Sequence, residues 1–381
     1  MRDPGRSLLR PSDRQLVATL RRHGQLPRDR LARLSGLPRS TVTDSLTRLR
    51  RQGIVTEQTM PRPAGQAGRP AKLLALAAPA GLVGVIALTH QTLQAAVASM
   101  DGTLHARRGI DPYGGGTRPG FAAAAVALLD QALSDIQRTR GDLIRAVAGL
   151  PMPVSGPAGG AARGPAGAVQ LDLSDQLGMP VQVENDANLG ALGEGAFGAA
   201  AGMENFIYIK IAHGLGAGLV LGRHLYRGTR GLAGELAHIH VEGDGDLCPC
   251  GGRGCLMTTF NTPRLIDWIR AVHPGAGTMA DVLALAADQD TGVGRILRDL
   301  GRTLGRSLAD FCVYTAPEGI VLDGILENAA GPVTDGIRQM LGQLTPPAVA
   351  AQVRITGGLL GHEAELRGAA VLARQHHLAG D

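Results

Sequence analysis

What this sequence lacks already narrows the class of protein. It has no run of about 18 or more apolar residues, which excludes a membrane-spanning helix and leaves no membrane among the expected partners. The first residues, Met1 to Pro4, lead into no apolar stretch typical of a signal peptide, so we expect a cytoplasmic protein. Cysteines number only four, and three of them fall between residues 248 and 255. In a cytoplasmic chain this clustering favours a metal site over disulfides.

The composition that is present indicates several folded domains. A length of 381 residues, 44% of them hydrophobic, suits two or three domains with cores of their own. Charge is unevenly distributed. Residues 1–75 hold 16 Lys and Arg against 5 Asp and Glu, a net charge of +11, whereas the rest of the chain carries −6. A basic head before an acidic body predicts that the head binds a polyanion, and a solvated basic arm is the alternative.

Apolar residues at helical spacing predict three short helices in the head. The first contains Leu16 and Leu20 and begins at Ser12 or Asp13, either of which suits a helix cap. The second spans about 28–35, with Leu31 and Leu34 directed inward, and the third spans about 39–52, with Val42, Leu46 and Leu49 directed inward.

The turn between the second and third helices, Gly36-Leu37-Pro38, makes this pair a helix-turn-helix. The first residues of the second helix of such a pair reach base edges in the major groove of DNA. The outward-facing residues of the third helix are Arg39, Ser40, Thr41, Thr43, Thr47 and Arg48, and of these we predict that Arg39, Ser40, Thr41, Thr43 and Arg48 contact DNA. Arg48 follows Asp44 by four residues, so an ion pair between the two is an alternative.

Two strands, at about 54–57 and 73–76, flank a Gly- and Pro-rich basic stretch, and together they predict a winged helix. Arg62, Arg69 and Lys72 lie on the predicted wing. Arg69, within Gly68-Arg69-Pro70, is the candidate for insertion into a narrow minor groove. A winged helix used for protein contacts is the alternative, and the net charge of the head favours DNA.

The rest of the chain alternates strands and helices with Gly-rich strand ends, which predicts an α/β fold. Strands are expected at about 82–87, 93–99, 144–149, 181–184, 206–211, 319–322 and 353–355, and a further strand is expected after the glycine stretch 214–220. Helices are expected at about 120–138, 186–194, 262–272, 279–287 and 293–315.

Two features of the body suit phosphoryl transfer, and each has a simpler structural explanation. Asp186 follows a buried strand and begins a helix, where a carboxylate can take a proton from a substrate hydroxyl. A helix cap formed by Asn185 or Asp186 explains the same pattern. Gly214 to Gly218 form a glycine loop whose amides can bind a phosphate, although a tight hairpin explains them as well.

A structural zinc site is predicted from Cys248, Cys250 and Cys255 together with a histidine. Three thiolates and one imidazole suit tetrahedral zinc, and the intervening glycines allow the tight backbone that such a site needs. His238 and His240 are expected on one face of a strand, so from the residues alone either one completes the set.

Taken together these segments resemble the ROK family of repressors and sugar kinases, and the resemblance covers nearly the whole chain. It is carried by the winged head and by residues 183–198, 214–221, 225–241, 248–256 and 316–326. The resemblance implies an actin-like (sugar kinase/ribonuclease H-like) two-lobed α/β body at 79–381, with a zinc loop at 238–255. This body follows an all-α/winged-helix DNA-binding domain at 1–78.

By the same resemblance a sugar pocket is lined by Asn185, Asp186, Glu235 and His238, with Asp186 in the position of the kinase base. The family's zinc motif also favours His238 over His240 as the metal ligand.

The chain departs from the kinases of that family at several positions. Their Asp-x-Gly-x-Thr phosphate loop is replaced by residues 83–93, which offer no carboxylate near Ile86. Met257 replaces a glutamate that usually touches the sugar. His213 replaces a small hydroxyl residue, and Asp323 replaces a glycine on the adenosine side. We therefore expect Asp186 to be a vestigial base, with no catalytic residue and no enzyme activity.

The sequence accordingly predicts a DNA-binding transcription regulator, a repressor that responds to a sugar or sugar derivative. Its expected partners are a double-stranded DNA operator, a sugar effector and a second copy, as a homodimer or homotetramer. Two alternatives stay open: an ATP-dependent sugar kinase that also binds DNA, and a ROK-like regulator that has stopped binding sugar.

Overall fold

The computed structural model of the protein describes residues 10–23, 26–51, 54–59, 72–76, 81–89, 92–111, 113, 120–156, 161–212, 214–259, 261–324 and 330–379. Its contacts divide the chain into two compact units, one of residues up to 80 with the last few from 377, and the other of residues 81–376. Among the described helices, none combines the length and apolar character needed to cross a membrane.

The first unit is built from three helices and a small sheet. Its helices are α1 (Pro11–His23), α2 (Arg28–Ser35) and α3 (Arg39–Arg51), and its strands are β1 (Leu26–Pro27), β2 (Val55–Thr59) and β3 (Lys72–Leu76). The strands pair antiparallel in the order β1-β3-β2. One core joins all of these elements through apolar side chains such as Leu16, Leu31, Leu46, Leu49 and Leu74.

The predicted bounds of α2 and α3 are confirmed to within a residue, and Gly36 in the left-handed conformation ends α2 as predicted for a tight turn. Three details were wrong. Helix α1 begins at Pro11, so neither Ser12 nor Asp13 caps it. Leu34 is 44% exposed instead of buried. Strand β1 was not predicted, because two residues carry no periodic pattern.

The second unit contains two five-stranded sheets, counted over its described residues. The first sheet has the order β6-β5-β4-β7-β8 and is formed by β4 (Leu82–Leu88), β5 (Leu93–Ser99), β6 (Leu104–Ile110), β7 (Leu143–Leu150) and β8 (Val181–Asn185). Helices α4 (Phe121–Asp135) and α5 (Gly164–Leu177) pack against it, and their apolar faces form the core of this lobe. Strands β4, β7 and β8 run parallel, so their carboxyl ends meet at one edge.

The second sheet has the order β11-β10-β9-β12-β13. Its strands are β9 (Phe206–Ile211), β10 (Leu215–Leu221), β11 (His224–Leu225), β12 (Gly319–Gly324) and β13 (Arg354–Gly357). The helices of this part of the chain are α6 (Asp186–Phe197), α7 (Leu256–Thr259), α8 (Thr262–Val272), α9 (Met279–Ala287), α10 (Thr291–Thr315), α11 (Ala330–Leu344), α12 (Pro347–Gln352) and α13 (Ala364–Ala379). A second core lies between this sheet and helices α8, α10 and α11.

Helices α6 and α13 cross closely where glycines remove the side chain. A Cβ on Gly193 would lie 2.1 Å from the carbonyl oxygen of Ala364, and one on Gly368 would lie 1.8 Å from that of Leu189. Side chains at these two positions would force the helices apart. The crossing brings Glu365, in the first turn of α13, to the start of α6.

The α/β prediction and most predicted strands are confirmed, with two corrections. The glycine stretch 214–220 is not a loop before a strand but is itself strand β10, paired antiparallel with β9. Helices α5, α7, α11, α12 and α13 were missed; α5 begins inside a Gly- and Pro-rich stretch that resembles a loop. Strand β6 was missed as well, because it is exposed over most of its length.

Candidate functional site

Helix α3 presents a polar face to solvent in the first unit. Arg39, Ser40 and Thr43 are exposed and Thr41 is half-buried, whereas Val42, Ser45, Leu46 and Leu49 are buried with helical spacing. The short turn after α2 leaves the first residues of α3 open at the surface. This arrangement is the one that a helix-turn-helix uses to enter the major groove.

Arg28, which the sequence analysis did not single out, extends this polar face. Its guanidinium donates a hydrogen bond to the Thr43 hydroxyl, and that hydroxyl donates to the backbone oxygen of Arg39 at 2.8 Å. A second cation therefore lies beside the first turn of α3. No local pattern predicted it, because Arg28 belongs to a different helix.

Arg48, predicted to contact DNA, is instead bound within the unit. Its guanidinium donates to both carboxylate oxygens of Asp13 on α1, at 3.2 and 2.8 Å, and to the Ser45 hydroxyl at 2.9 Å. Burial by itself would raise the pKa of Asp13. The hydrogen bonds from Arg48 and Ser45 outweigh burial, so the pKa of Asp13 lies below its ordinary value. The partner of Arg48 is therefore Asp13 and not Asp44, the alternative that sequence spacing suggested.

The wing is only partly visible. Arg62 and Arg69, both predicted to lie on the wing and Arg69 to enter the minor groove, lie outside the described residues. Lys72 begins β3 and forms a 2.6 Å ion pair with Glu57 on β2, to which Arg50 also binds. The side chain of Lys72 is 58% exposed, so it stays at the surface of the sheet.

In the second unit one histidine and three cysteines converge. The ligand atoms of His238, Cys248, Cys250 and Cys255 all lie within 4.8 Å of one another. Cys248 Sγ is 3.4 Å from His238 Nδ1, and Cys250 Sγ is 3.7 Å from Cys255 Sγ. Zinc bonded at about 2.3 Å to sulfur and about 2.0 Å to nitrogen separates tetrahedral ligands by roughly 3.5–3.8 Å. The donor set and its spacing therefore fit zinc.

Backbone turns hold the three thiols together. The amide of Cys248 donates to the Gly252 oxygen at 2.8 Å, and the amide of Gly251 donates back to the Cys248 oxygen at 2.9 Å. Gly254 has a φ of +62°, and a Cβ there would lie 1.7 Å from the backbone oxygen of Glu242. Only glycine fits at that position, which explains the spacing between the cysteines.

The structure brings His238 and not His240 to the cysteines. His238 ends a short helical turn at residues 236–238. The sequence-based prediction that His238 and His240 lie on one face of a strand was therefore wrong. His240 is exposed, and its Nε2 is 3.2 Å from the backbone oxygen of Gly243. Since Nδ1 of His238 faces the thiols, its Nε2 lies on the opposite side of the ring.

Asn185 and Asp186 lie where β8 ends and α6 begins. The Asn185 side chain accepts hydrogen bonds from the amides of Ala187 and Asn188, which makes it the helix cap that was one of the two sequence-based explanations. Its amide nitrogen donates to the backbone oxygen of Met152 at 3.2 Å. The Asn185 side chain thus joins α6 to the loop after β7.

The Asp186 carboxylate is buried and ion-paired. Lys210, on the neighbouring strand β9, donates from Nζ to Oδ2 at 2.7 Å, and the amide of Ala187 donates to Oδ1 at 2.9 Å. Lys210 also donates to Glu365 of α13. Both oxygens of the Asp186 carboxylate are therefore already bound, Oδ2 by an ammonium and Oδ1 by a backbone amide.

Burial and neighbouring charges shift the pKa of several groups around this pair. Burial alone would lower the pKa of Lys210, but the carboxylates of Asp186 and Glu365 raise it above its ordinary value. Burial raises the pKa of Glu365 to about 7, and Lys210 only partly opposes this. Burial and the charge of Asp186 raise the pKa of Glu235, against the effect of His238. Glu235 is thus within electrostatic range of Asp186 and His238.

The glycines of the hairpin formed by β9 and β10 allow the hairpin to pack closely against helix α6. The amide of Ala212 donates to the Gly214 oxygen at 2.9 Å, which closes a tight turn between β9 and β10. A Cβ on Gly218 would lie 2.5 Å from that of Ala191 on α6. The hairpin explanation of these glycines is confirmed, and His213, next to the turn, lies outside the described residues.

The remaining departures from the kinase pattern have defined surroundings. Ile86 is 1% exposed and belongs to the core of the first lobe. Met257 is half-buried against the core of the second lobe. Asp323 is the second-last residue of β12, where it accepts a hydrogen bond from the Tyr208 hydroxyl at 2.8 Å.

Sequence reasoning did not find Lys210 or Glu365. A signal existed for Lys210, since it is a lone charge in the apolar run Phe206–Ile211, and a charge in a buried strand requires a partner. The partner Glu365 lies 155 residues further along the chain, and nothing local identifies it.

Comparison with known proteins assigns both units. A model of the ROK family matches residues 121–376, and a model of winged helix-turn-helix DNA-binding domains matches residues 9–56. A xylose repressor of Bacillus spizizenii is 30% identical over 206 residues, which are 54% of this chain and 53% of the repressor. A glucokinase of Streptomyces coelicolor is 35% identical over 52% of this chain and 69% of the enzyme. The chain thus spans about half the length of the repressor that it matches.

Two solved structures share the fold. A ROK family transcriptional regulator, a homologue of the E. coli MLC protein, superposes with a TM-score of 0.72 at 24% identity, over 96% of this chain and 97% of its own. A ROK family glucokinase from Streptomyces griseus, in complex with glucose and AMPPNP, superposes with a TM-score of 0.66 at 26% identity, over 77% of this chain and all of the enzyme. The actin-like sugar kinase fold and the preceding winged helix are therefore as predicted.

Proposed function

The chain belongs to the ROK family, and from its winged helix-turn-helix we propose that it is a DNA-binding transcription regulator, a repressor that responds to a sugar or sugar derivative. The observation that carries this proposal is the solvent-facing polar surface of α3. One chain therefore combines a helix suited to contact DNA with a sugar-kinase-like body.

We propose that Arg39, Ser40, Thr41 and Thr43 contact the operator. Arginine binds guanine through two parallel hydrogen bonds, and hydroxyls bind phosphates or base edges. The contribution of Arg48 is mainly structural, because Asp13 already takes its guanidinium. Arg69 stays the proposed minor-groove contact.

A single winged helix buries too little surface for operator-level specificity, so we propose that the protein binds as a homodimer or homotetramer.

For the body we propose a ligand pocket lined by Asn185, Asp186, Glu235 and His238. Zinc held by His238 and the three cysteines would be structural, fixing the ring of His238 so that Nε2 faces the ligand. A ligand changes DNA affinity only if it binds two arrangements of the body with different affinity. The similarity to a xylose repressor and to glucokinases makes D-xylose and D-glucose the first sugars to test.

We propose that the protein has no kinase activity. The phosphate-loop carboxylate of the kinases is replaced near Ile86, whose side chain belongs to the core. Lys210 binds Oδ2 of Asp186, so an ion pair already holds the carboxylate that stands in the position of the kinase base. Both features disfavour the alternative of a kinase that also binds DNA.

Genome-wide binding of the full chain, followed by release from the recovered operator on adding each sugar, tests the proposal. We expect a few specific sites and loss of binding with one sugar. Absence of sequence-specific sites would contradict the assignment as a regulator.

Two further measurements separate the alternatives. Sugar-dependent ATP hydrolysis that is abolished by Asp186→Asn would establish the kinase. A flat thermal-shift response to a panel of sugars and amino sugars, with DNA binding retained, would establish a regulator that has stopped binding sugar.

A further inference from the structure

Lys210 lies at the centre of a buried group of charges that links three elements. Lys210 is 8% exposed, and its ammonium binds Asp186 at the start of α6 and Glu365 in the first turn of α13. In the strand register Lys210 is opposite Gly216 of β10 on one side and Asp323 of β12 on the other. Lys210 is therefore bound to Asp186, a proposed pocket residue, and lies beside Asp323 in the sheet.

Carboxylates outnumber cations in this group. Asp323 lies beside it and accepts a hydrogen bond from the Tyr208 hydroxyl. Burial raises the pKa of Tyr208, and the charges of Asp323, Glu365 and Asp186 raise it further, so all three carboxylates act on one buried point. Among the described residues of the group, Lys210 is the one cation facing three acids. One oxygen of Glu365, Oε2, is buried without a partner in the part of the chain that the structure describes.

The choice of lysine over arginine here follows from geometry. Of the 38 basic residues in the chain only two are lysines, Lys72 and Lys210. An ammonium is compact and donates three hydrogens in tetrahedral directions, whereas a guanidinium is planar and larger. Lys210 must bind carboxylates on two different helices inside a packed interior, which suits the smaller group.

We propose that Lys210 sets the ligand chemistry of the body's pocket. It positions Asp186 as an ionised hydrogen-bond acceptor within a group of excess negative charge, so the pocket selects ligands that donate hydroxyl or ammonium hydrogens and rejects ligands that carry phosphoryl groups. This inference rests on the proposed function in taking a sugar as the ligand. A phosphoryl group placed among these carboxylates in a low-dielectric interior meets repulsion that a neutral hydroxyl avoids.

The presence of only two lysines allows a direct test on the full-length protein. Lysine labelled with carbon-13 at Cε gives one signal from buried Lys210 and one from exposed Lys72, which serves as an internal reference. In the absence of any ligand, Asp186→Asn should move the Lys210 signal and leave that of Lys72 unchanged. An unmoved Lys210 signal would overturn the positioning role, whatever the ligand is.

The second step titrates the same labelled protein with D-glucose, D-xylose, D-glucosamine and D-glucose 6-phosphate, with release from operator DNA measured in parallel. We expect a free sugar to move the Lys210 signal and to bind on the order of 30-fold or more tightly than the phosphate. Equal or tighter binding of D-glucose 6-phosphate overturns the inference and leaves the proposed function standing. A sugar that releases DNA without moving the Lys210 signal also overturns the inference and leaves the proposed function standing. If no sugar releases DNA, the proposed function fails, and the selection of ligands fails with it.

A matched pair of variants tests whether charge causes the selection. At about pH 8, above its pKa of about 7, Glu365 is ionised, and Glu365→Gln then removes one carboxylate charge from the group and keeps the size of the side chain. Glu363→Gln makes the same change two residues earlier, where the side chain is 41% exposed and bound to Arg367. We expect the preference for free sugar over its phosphate to fall about tenfold in Glu365→Gln and to be unchanged in Glu363→Gln. Equal preferences in the two variants would overturn charge as the cause.

Discussion

Arg48 of helix α3 donates two hydrogen bonds to Asp13 of helix α1, at 3.2 and 2.8 Å, and Asp13 is 2% exposed. Because the pair joins α1 to α3, it fixes the orientation of the helix that carries the proposed DNA contacts. Removing the cation would leave a buried carboxylate without its partner, a change that destabilises proteins strongly.

We therefore predict that Arg48→Ala lowers the stability of the first unit, because the buried Asp13 carboxylate loses the guanidinium that binds it. Hydrogen exchange of the α1 and α3 amides in the full-length protein measures this loss. The control is Arg33→Ala, whose 3.4 Å pair with Asp29 is exposed on both sides, where about 0.5 kcal/mol or less is expected. Equal exchange in the two variants would show that the Arg48 pair adds no stability.

Arg39 begins the recognition helix, and its exposed side chain has a different expected role. Arg39→Ala should weaken operator binding by about 1–3 kcal/mol if the side chain binds a base, and the discrimination between operator variants should fall at one position. Fluorescence anisotropy with the recovered operator at several salt concentrations measures both effects. A uniform loss over all sequences with a shallower salt dependence would assign Arg39 to a phosphate.

The zinc cluster gives a prediction that separates two neighbouring histidines. His238→Ala and Cys250→Ser should each release zinc and lower the melting temperature of the body, because metal binding contributes folding free energy. His240→Ala should keep one zinc per chain, since His240 is exposed and bonded to Gly243. Metal content by mass spectrometry after gel filtration decides the matter, and loss of zinc from His240→Ala alone would reverse the assignment.

The sequence predicts those features that local patterns specify. Helix α3 was predicted from the spacing of Val42, Leu46 and Leu49 after a glycine turn. The candidate metal site was predicted because three cysteines between residues 248 and 255, with a histidine, are a typical set of metal ligands. Contacts between distant segments cannot be predicted in this way. The start of α1 was misplaced because the Asp13 carboxylate binds Arg48, 35 residues away, instead of capping its own helix.

The same limit applies to the centre of the body. Asp186 was identified from its place between a strand and a helix, but the residues that determine its chemistry come from β9 and α13. Helix α13, the last helix that the structure describes, crosses α6 closely because Gly193 and Gly368 carry no side chains. Local spacing could not predict that crossing, so the ionic partners of Asp186 were missed.

The raised pKa of Glu365 predicts how the stability of the body depends on pH. Burial raises this pKa to about 7 in the folded protein, whereas the unfolded chain has an ordinary value near about 4.3. Between these two values the folded state keeps a proton that the unfolded state has lost, so the free energy of unfolding falls as pH rises through this window. The stabilisation is complete below about pH 4 and absent above about pH 7, and its size is on the order of 4 kcal/mol. Glu365→Gln has no such proton, so its stability relative to wild type should rise across the window, whereas Glu363→Gln should follow wild type. Urea unfolding followed by the fluorescence of Trp268, the single tryptophan of the chain, measures these curves in the body, and parallel curves for Glu365→Gln and wild type would exclude a protonated Glu365.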